Sequence, residues 1–167
     1  QQNVIAVLVD TSRSMALQES SETRLDKVQA ALSSGLLKEL EGRFQVRLYG
    51  FSSGPDRVEG PGQLAPQGNA TRLGESLAGV LRETGALPLG GVVLFSDGAD
   101  NMGGLDRATL AEIRQKRIPV HTVGVGRTEI PRDVEVTDAV VPARALPGSR
   151  LSARVSLRHT GLQGEKV

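Results

Sequence analysis

The stretch Val4-Ile5-Ala6-Val7-Leu8-Val9-Asp10-Thr11-Ser12-Arg13-Ser14 decides the fold, because an apolar run passes directly into a polar loop. A continuous run rich in β-branched residues is typical of a strand that is buried on both faces of a sheet. After the loop, apolar residues recur at spacings of three and four from Leu25 to Leu40, which predicts a helix. We therefore expect a strand, a polar loop at its carboxyl end, and a helix packed behind it.

The same alternation of apolar runs and amphipathic segments continues through residues 1–129. It predicts an α/β fold, a doubly wound, mostly parallel sheet flanked by helices. Further strands are expected at 44–48, 91–95 and 120–125, and further helices at 71–85 and 106–118. The Gly- and Pro-rich segment 52–68 leaves room only for a short edge strand near Arg57 and Val58.

Residues 130–167 have a different pattern, without a helical period. Apolar and polar residues alternate from Leu151 to Leu157, which predicts a strand, and another strand is expected at 133–140. Two strands bury too little surface to be stable alone. We interpret this segment as the incomplete start of a β-sandwich domain, and we expect the chain, which begins with Gln1, to be a piece of a longer protein.

The composition excludes several classes of function. Lys and Arg number 20 and Asp and Glu 19, so the net charge of +1 lacks the basic excess of a non-specific nucleic-acid binder. Three Phe, one Tyr and no Trp provide few platforms for stacking bases. The absence of Cys excludes disulfides, zinc–thiolate sites and cysteine nucleophiles. The apolar runs are too short for direct insertion into a membrane.

Oxygen-bearing side chains stand where the predicted strands end. Asp10, Ser12 and Ser14 follow the first strand, Asp97 follows the strand at 91–95, and Thr71 stands where a loop enters a helix. Open α/β sheets bind ligands at the carboxyl ends of their strands, so the topology could bring these residues together. Two carboxylates and three hydroxyls are hard donors that suit Mg²⁺, Mn²⁺ or Ca²⁺. The sequence therefore predicts a divalent metal site.

Asp10-x-Ser12-x-Ser14, Thr71 and Ser96-Asp97-Gly98 together resemble the metal-ion-dependent adhesion site of von Willebrand factor type A domains, and the resemblance covers about residues 3–126. It implies Mg²⁺ as the cofactor, with Mn²⁺ or Ca²⁺ as substitutes. It also implies a protein partner that presents Asp or Glu to the metal, in a binding module that is not an enzyme. Arg13, Asp100 and Asn101 are expected on the rim that faces this partner.

Residues 133–167 resemble, more loosely, the Ig-like segment that follows such modules in large bacterial envelope proteins. This resemblance implies an extracytoplasmic location in a parent protein that is anchored in a membrane. The family usually adds a further strand and a long C-terminal helix after the strand at 120–125, but here Thr128–Pro131 leads straight into β-like sequence. Either the sheet is minimal or the strand at 133–140 takes the place of the family's edge strand, and we do not expect the affinity switch that the helix provides.

Other interpretations of the same residues stay open. Asp10, Ser12, Ser14 and Thr71 are also common in turns and at helix N-caps. The module could be a structural scaffold in which a metal only braces loops. A metal-assisted hydrolase would need a general base that the motif does not offer. A Ser–His–Asp triad is disfavoured because His121 lies inside an apolar strand, away from the expected site.

Overall fold

The computed structural model describes residues 2–68, 70–99, 104–126, 133–142, 144, 148 and 150–160. The chain forms two compact units, Gln1–Gly126 and Arg127–Val167. The predicted division after residue 129 falls close to this boundary. The identification of the second unit as the start of an Ig-like domain stays a prediction.

The first unit begins with a strand and continues with short strands and helices. Its strands are β1 (Val4–Asp10), β2 (Gln18–Glu19), β3 (Glu22–Thr23), β4 (Gln45–Phe51), β5 (Pro55–Val58), β6 (Leu89–Ser96) and β7 (Val120–Gly124). Its helices are α1 (Arg24–Ala31), α2 (Leu37–Glu41), α3 (Leu73–Glu83) and α4 (Arg107–Gln115). Single 3₁₀ turns lie at Arg13–Ala16 and Pro61–Gln63.

The main sheet has five strands in the order β5-β4-β1-β6-β7. β1 lies in the middle and pairs in parallel with β4 and β6, so that Val7 lies beside Leu48 on one side and Val93 on the other. β7 is parallel to β6, whereas β5 is antiparallel to β4. β2 and β3 form a separate two-stranded hairpin. The parallel strands bring the carboxyl ends of β1, β4 and β6 to one edge of the sheet.

The predicted class, a doubly wound and mostly parallel sheet flanked by helices, is wrong for this unit. The sheet is mixed, because the chain turns back after β4 and pairs β5 as an antiparallel neighbour, without a helical crossover. In the described part of the chain only three helices have eight or more residues. The unit is an α/β structure with a mixed sheet and several short strands, and it is not clearly the von Willebrand factor type A fold that the resemblance implied.

The helix predicted from Leu25 to Leu40 is divided. α1 begins with a capping box in which Thr23 Oγ1 accepts from the Asp26 amide at 3.1 Å and the Asp26 carboxylate accepts from the Thr23 amide at 2.9 Å. A π-helical segment, Leu32–Leu36, then separates α1 from α2, and within it Gly35 has a φ of 133°. The irregular turn shifts the helical faces, so Leu36 is 37% exposed although its spacing predicts burial.

The core lies on both faces of β1. Ala6 and Leu8 belong to a cluster that includes the buried side of α3, whereas Val7 and Val9 belong to a cluster that includes Leu25 of α1. Successive residues of a strand point to opposite faces, so the single apolar run of β1 anchors both clusters. This packing fixes the direction in which β1 delivers the polar residues that follow it.

The second unit contains β8 (Asp133–Val140) and β9 (Arg154–Thr160), which pair as an antiparallel hairpin. The strand predicted at 133–140 is confirmed. The following strand lies slightly later than the predicted 151–157, and the register shifts between Val136 and Asp138. None of the helices in the described ranges has the length and hydropathy needed to span a membrane.

Candidate metal site at the carboxyl edge of the sheet

Asp10 is the last residue of β1, and its side chain is completely buried. One carboxylate oxygen, Oδ1, accepts the backbone amide of Ser12 at 2.9 Å, and the other, Oδ2, accepts the hydroxyl of Ser96 at 2.8 Å. Both donors are neutral, and in the described part of the chain no Lys or Arg forms an ion pair with Asp10. A buried carboxylate without a positive partner is costly, so this position favours a cation.

Ser12 and Ser14 lie in the turn that follows β1. Their hydroxyl oxygens are 3.0 Å apart, and either one can be the donor. The turn is closed by the Met15 amide, which donates to the Ser12 carbonyl at 3.0 Å, and it is anchored by the fully buried Met15 side chain. Asp10, Ser12 and Ser14 are therefore brought together as the sequence predicts.

Thr71 is buried and lies close to the ends of β1 and β4. The next residue, Arg72, donates its amide to the Ser52 carbonyl just after β4 at 2.8 Å, and the Gln67 amide donates to the Thr11 carbonyl at 2.6 Å. These contacts hold the loop before α3 against the carboxyl edge of the sheet. Thr71 is not the N-cap of α3, because that position is taken by Arg72, whose side chain makes no capping hydrogen bond.

Asp97 follows β6 directly and has a side chain only 4% exposed. Its Oδ1 accepts the Ala99 amide at 3.1 Å, while its Oδ2 accepts Nη1 of Arg24 at 2.8 Å. The preceding Ser96 accepts the Gly98 amide at 3.0 Å through the same hydroxyl that contacts Asp10. Ser96 thus joins the Asp97 turn to the Asp10 carboxylate.

Three residues lie at the site that were not predicted as site residues from the sequence: Ser96, Glu19 and Arg24. Ser96 could have been found from the sequence, because it is the last residue of β6 and directly precedes Asp97. Glu19 and Arg24 could not have been found in this way, since no spacing rule links Arg24 to the carboxylate of Asp97, 73 positions away. Arg24 Nε donates to Glu19 Oε1 at 2.8 Å, and Lys27 Nζ donates to Glu19 Oε2 at 2.9 Å.

These contacts change the protonation equilibria of the partners. Hydrogen bonds from Arg24 and then Lys27 lower the pKa of Glu19 from 4.5 to about 2. The hydrogen bond to Glu19 is also the largest influence on Arg24 and raises the pKa of its guanidinium. Both groups are therefore charged at neutral pH.

The predicted rim is only partly described. Arg13 is exposed in the turn beside Ser12 and Ser14, as a residue that faces a partner must be. Asp100 and Asn101 lie outside the described residues. Next to Asp97 the surface holds an open cavity of about 290 Å³, lined mainly by apolar groups that include Leu73, Leu94 and Val123.

The donor set is consistent with a hard divalent cation. The structure joins Asp10, Ser12 and Ser14 directly, links the Asp97 turn to Asp10 through Ser96, and holds the Thr71 loop at the same edge. All five side chains offer oxygen, the donor type that Mg²⁺ and Ca²⁺ prefer. The described residues contain no group of three or more His, Cys, Asp or Glu positioned for a metal, so the three hydroxyls would have to supply part of the coordination.

The chain has no match among protein-family models or curated proteins. Among solved structures it is similar to proximal thread matrix protein 1 from the mussel byssus, with a TM-score of 0.50 and 23% identity over 74% of this chain and 38% of that one. It also matches an uncharacterized membrane-spanning protein from Vibrio fischeri, with a TM-score of 0.39 and 21% identity over 74% of this chain and 71% of that one. The likeness to the mussel protein concerns the fold alone, and this chain spans 38% of its length.

Proposed function

We propose that the first unit is a non-catalytic, divalent-cation-dependent protein-binding module, with Asp10, Ser12, Ser14, Thr71 and Asp97 holding the ion. The observation that carries the proposal is the Asp10 carboxylate, which is fully buried and, among the described residues, accepts hydrogen bonds from neutral donors only. A bound Mg²⁺, or Mn²⁺ or Ca²⁺ in its place, would supply a Lewis acid that accepts an Asp or Glu carboxylate from the partner protein.

Each residue contributes a distinct property to this site. Asp10 supplies negative charge from a fixed position, because both of its oxygens are already oriented by hydrogen bonds. The hydroxyls of Ser12 and Ser14 can rotate, so their lone pairs can turn toward a cation while the 3₁₀ turn holds their backbone. Exposed Arg13 lies beside them and offers a positive charge to an approaching carboxylate.

Binding is favoured over catalysis by the groups that surround the serines. Ser12 Oγ contacts Ser14 Oγ, and within the described ranges no histidine forms a hydrogen bond with either hydroxyl. His121 lies on β7 with its side chain exposed. A nucleophilic serine needs a base within hydrogen-bond distance, so the described contacts do not assemble a hydrolytic triad.

The proposal is tested first with the metal alone. MgCl₂ is titrated calorimetrically into the purified chain and into Asp10→Asn, which keeps the size of the side chain but removes its charge. We expect saturable binding in the wild type and binding at least about tenfold weaker in the variant. Asp56→Asn, an exposed carboxylate on β5, is the matched control and should bind like the wild type. Saturable heat that persists unchanged in Asp10→Asn would contradict the proposal.

The acceptance of a partner carboxylate is tested separately with the Mn²⁺-loaded chain. The peptides Gly-Glu-Gly and Gly-Gln-Gly, acetylated at the N-terminus and amidated at the C-terminus, differ only in the side-chain carboxylate and serve as probes. Paramagnetic broadening of their NMR signals reports approach to the metal. We expect stronger broadening of the Glu peptide and loss of this preference in Asp10→Asn. Equal broadening of both peptides would mean that no carboxylate is accepted.

A structural role for the same site is the second candidate. The observation that favours it is the Arg24–Asp97 ion pair, which compensates Asp97 without a metal. On this hypothesis the loops are braced inside a larger envelope protein and no outside carboxylate binds. A higher melting temperature in Mg²⁺, together with equal behaviour of the two peptides, would favour bracing over adhesion. The family resemblance and the extracytoplasmic location stay predictions.

A further inference from the structure

Arg24 connects the candidate site to a part of the molecule outside it. It is the first residue of α1, and its guanidinium binds two carboxylates from different elements, Glu19 of β2 and Asp97 after β6. Both contacts measure 2.8 Å, and the two carboxylate side chains are only 7% and 4% exposed. Such bridging suits arginine, whose planar fork presents several N–H donors in fixed directions.

The backbone near the end of β7 leaves space for this guanidinium. A Cβ atom built on Gly126 would lie 3.2 Å from Nε of Arg24 and 3.3 Å from Cζ. Gly126 also has a φ of 118°, a conformation that L side chains rarely adopt. Arg24 is therefore enclosed by three separate segments, so the fold fixes the position of its guanidinium.

Among the described residues, the charges of the ion-pair network that contains Arg24 balance when no divalent ion is present. Glu19 and Asp97 carry one negative charge each, and Arg24 and Lys27 carry one positive charge each. Of the two cations, Arg24 pairs with both carboxylates, while Lys27 pairs with Glu19. Asp97 is thus already neutralised by a side chain of the same protein.

We propose that Arg24 is the internal counter-cation of the site: it neutralises Asp97 in the metal-free protein and thereby weakens the binding of divalent cations. This inference rests on the proposed function of the site. The positive charge of Arg24 repels a divalent cation at short range. It also neutralises the Asp97 carboxylate, which therefore attracts the divalent cation less strongly. Glu19 has the opposite influence, because its carboxylate compensates part of the charge of Arg24 and so reduces the attraction of Arg24 to Asp97.

The proposal predicts effects of opposite sign for two members of the same network. Arg24→Gln removes the competing charge, so the affinity for Mg²⁺ should rise by about tenfold, within the range usual for coupled sites. Glu19→Gln leaves Arg24 paired with Asp97 alone, so the affinity should fall. A purely structural role would move both variants in the same direction, because either substitution breaks the same bridge.

The experiment is calorimetric titration of MgCl₂ into the wild type, Arg24→Gln and Glu19→Gln, with melting curves recorded with and without Mg²⁺. Arg47→Gln is the matched control, since Arg47 is also a mostly buried arginine paired with a carboxylate, Glu83, away from the site. In Arg24→Gln we expect a lower melting temperature without metal and a larger increase on adding Mg²⁺. Arg47→Gln should keep the wild-type affinity.

The outcomes separate this inference from the proposed function. Wild-type binding that is unchanged or weakened in Arg24→Gln overturns the inference alone. Binding in Arg24→Gln but not in the wild type supports the inference and contradicts the proposed function of the native chain. No binding in either protein overturns both.

A measurement on the wild type tests the inference without depending on the folding of a variant. The Nη1–H signal of Arg24, which donates to Asp97 Oδ2, is followed by NMR during the MgCl₂ titration. It should shift as Asp97 is released from the guanidinium, and an unchanged signal at saturating Mg²⁺ would overturn the inference.

Discussion

The two units of this chain both contain strands with apolar residues, but they bury those residues to very different extents. In β1, Val7, Leu8 and Val9 are completely buried. In the β8–β9 hairpin, Val136 is 59% and Leu157 is 49% exposed. β1 has a parallel neighbour on each side and helices that cover it, whereas β8 pairs with β9 alone in the described residues. An apolar pattern, continuous or alternating, therefore predicts a strand, but the burial of that strand depends on the distant segments that pack against it.

The largest effect is expected from removing core volume in the first unit. Leu8→Ala leaves a cavity in a fully packed strand and should lower the free energy of unfolding by about 2–5 kcal/mol. The matched change in the hairpin, Leu157→Ala, removes a half-exposed side chain and should cost less than about 1 kcal/mol. Urea unfolding of the full chain measures both. Equal losses of unfolding free energy in the two variants would show that the apolar face of the hairpin is covered, and the contrast between the two units would then be wrong.

A smaller effect is expected from the polar contacts of the two units. Ser96→Ala removes the hydroxyl that donates to the buried Asp10 carboxylate and should cost about 1–3 kcal/mol, because a buried acceptor loses its partner. In the hairpin, Thr137 donates to the Ser156 carbonyl at 3.1 Å in an exposed position. Thr137→Ala should change stability by less than about 0.5 kcal/mol, since water replaces the lost contact. If Ser96→Ala and Thr137→Ala lowered the free energy of unfolding by similar small amounts, water would be replacing the Ser96 hydroxyl at Asp10.

Glu19 gives the first unit a dependence on pH. Its pKa falls from 4.5 to about 2 in the folded protein, so the unfolded state binds the proton more readily. The resulting stabilisation is complete above pH 4.5 and is lost as the pH falls through about 2. The difference in unfolding free energy between wild type and Glu19→Gln should therefore shrink over this interval. The comparison of the two proteins is essential, because hydrogen bonds also lower the pKa values of Asp26 and Asp106.

A double-variant cycle tests the cause of that pH dependence. In a background of Arg24→Gln, the Glu19 carboxylate loses its largest source of stabilisation, and the pH-dependent difference should become much smaller. A difference that is unchanged in this background would assign the effect to Lys27 alone.

Much of the local structure could be predicted from the sequence, and the errors have physical causes. The run from Val4 to Val9 and the Thr23–Asp26 capping box depend on neighbouring residues, and both are found. The direction of β5 could not be predicted, because it is set by a turn whose glycine and proline are compatible with a hairpin or a crossover. The break at Gly35 was missed because apolar periodicity continues across it.

The candidate site divides in the same way between local and distant contacts. Asp10, Ser12 and Ser14 meet within one turn, so their spacing was sufficient to predict their proximity. Arg24 and Asp97 meet only because α1 and β6 are packed in one particular arrangement. No periodicity encodes that pair, and a net charge of +1 conceals how the charges are arranged around Asp97.

The smallest effect is expected from the hairpin's own ion pair. Arg158 and Glu135 are 3.7 Å apart with side chains 74% and 61% exposed, so water and salt screen their attraction. Glu135→Gln should change the free energy of unfolding by less than about 0.5 kcal/mol, whereas Glu19→Gln removes a nearly buried carboxylate that binds two cations and should be clearly destabilising at neutral pH. Urea unfolding at low and high NaCl checks both variants, and a marked, salt-sensitive loss in Glu135→Gln would show that the hairpin pair is desolvated. Exposure at the pair, more than the identity of its residues, thus decides what a Glu–Arg contact contributes in each unit.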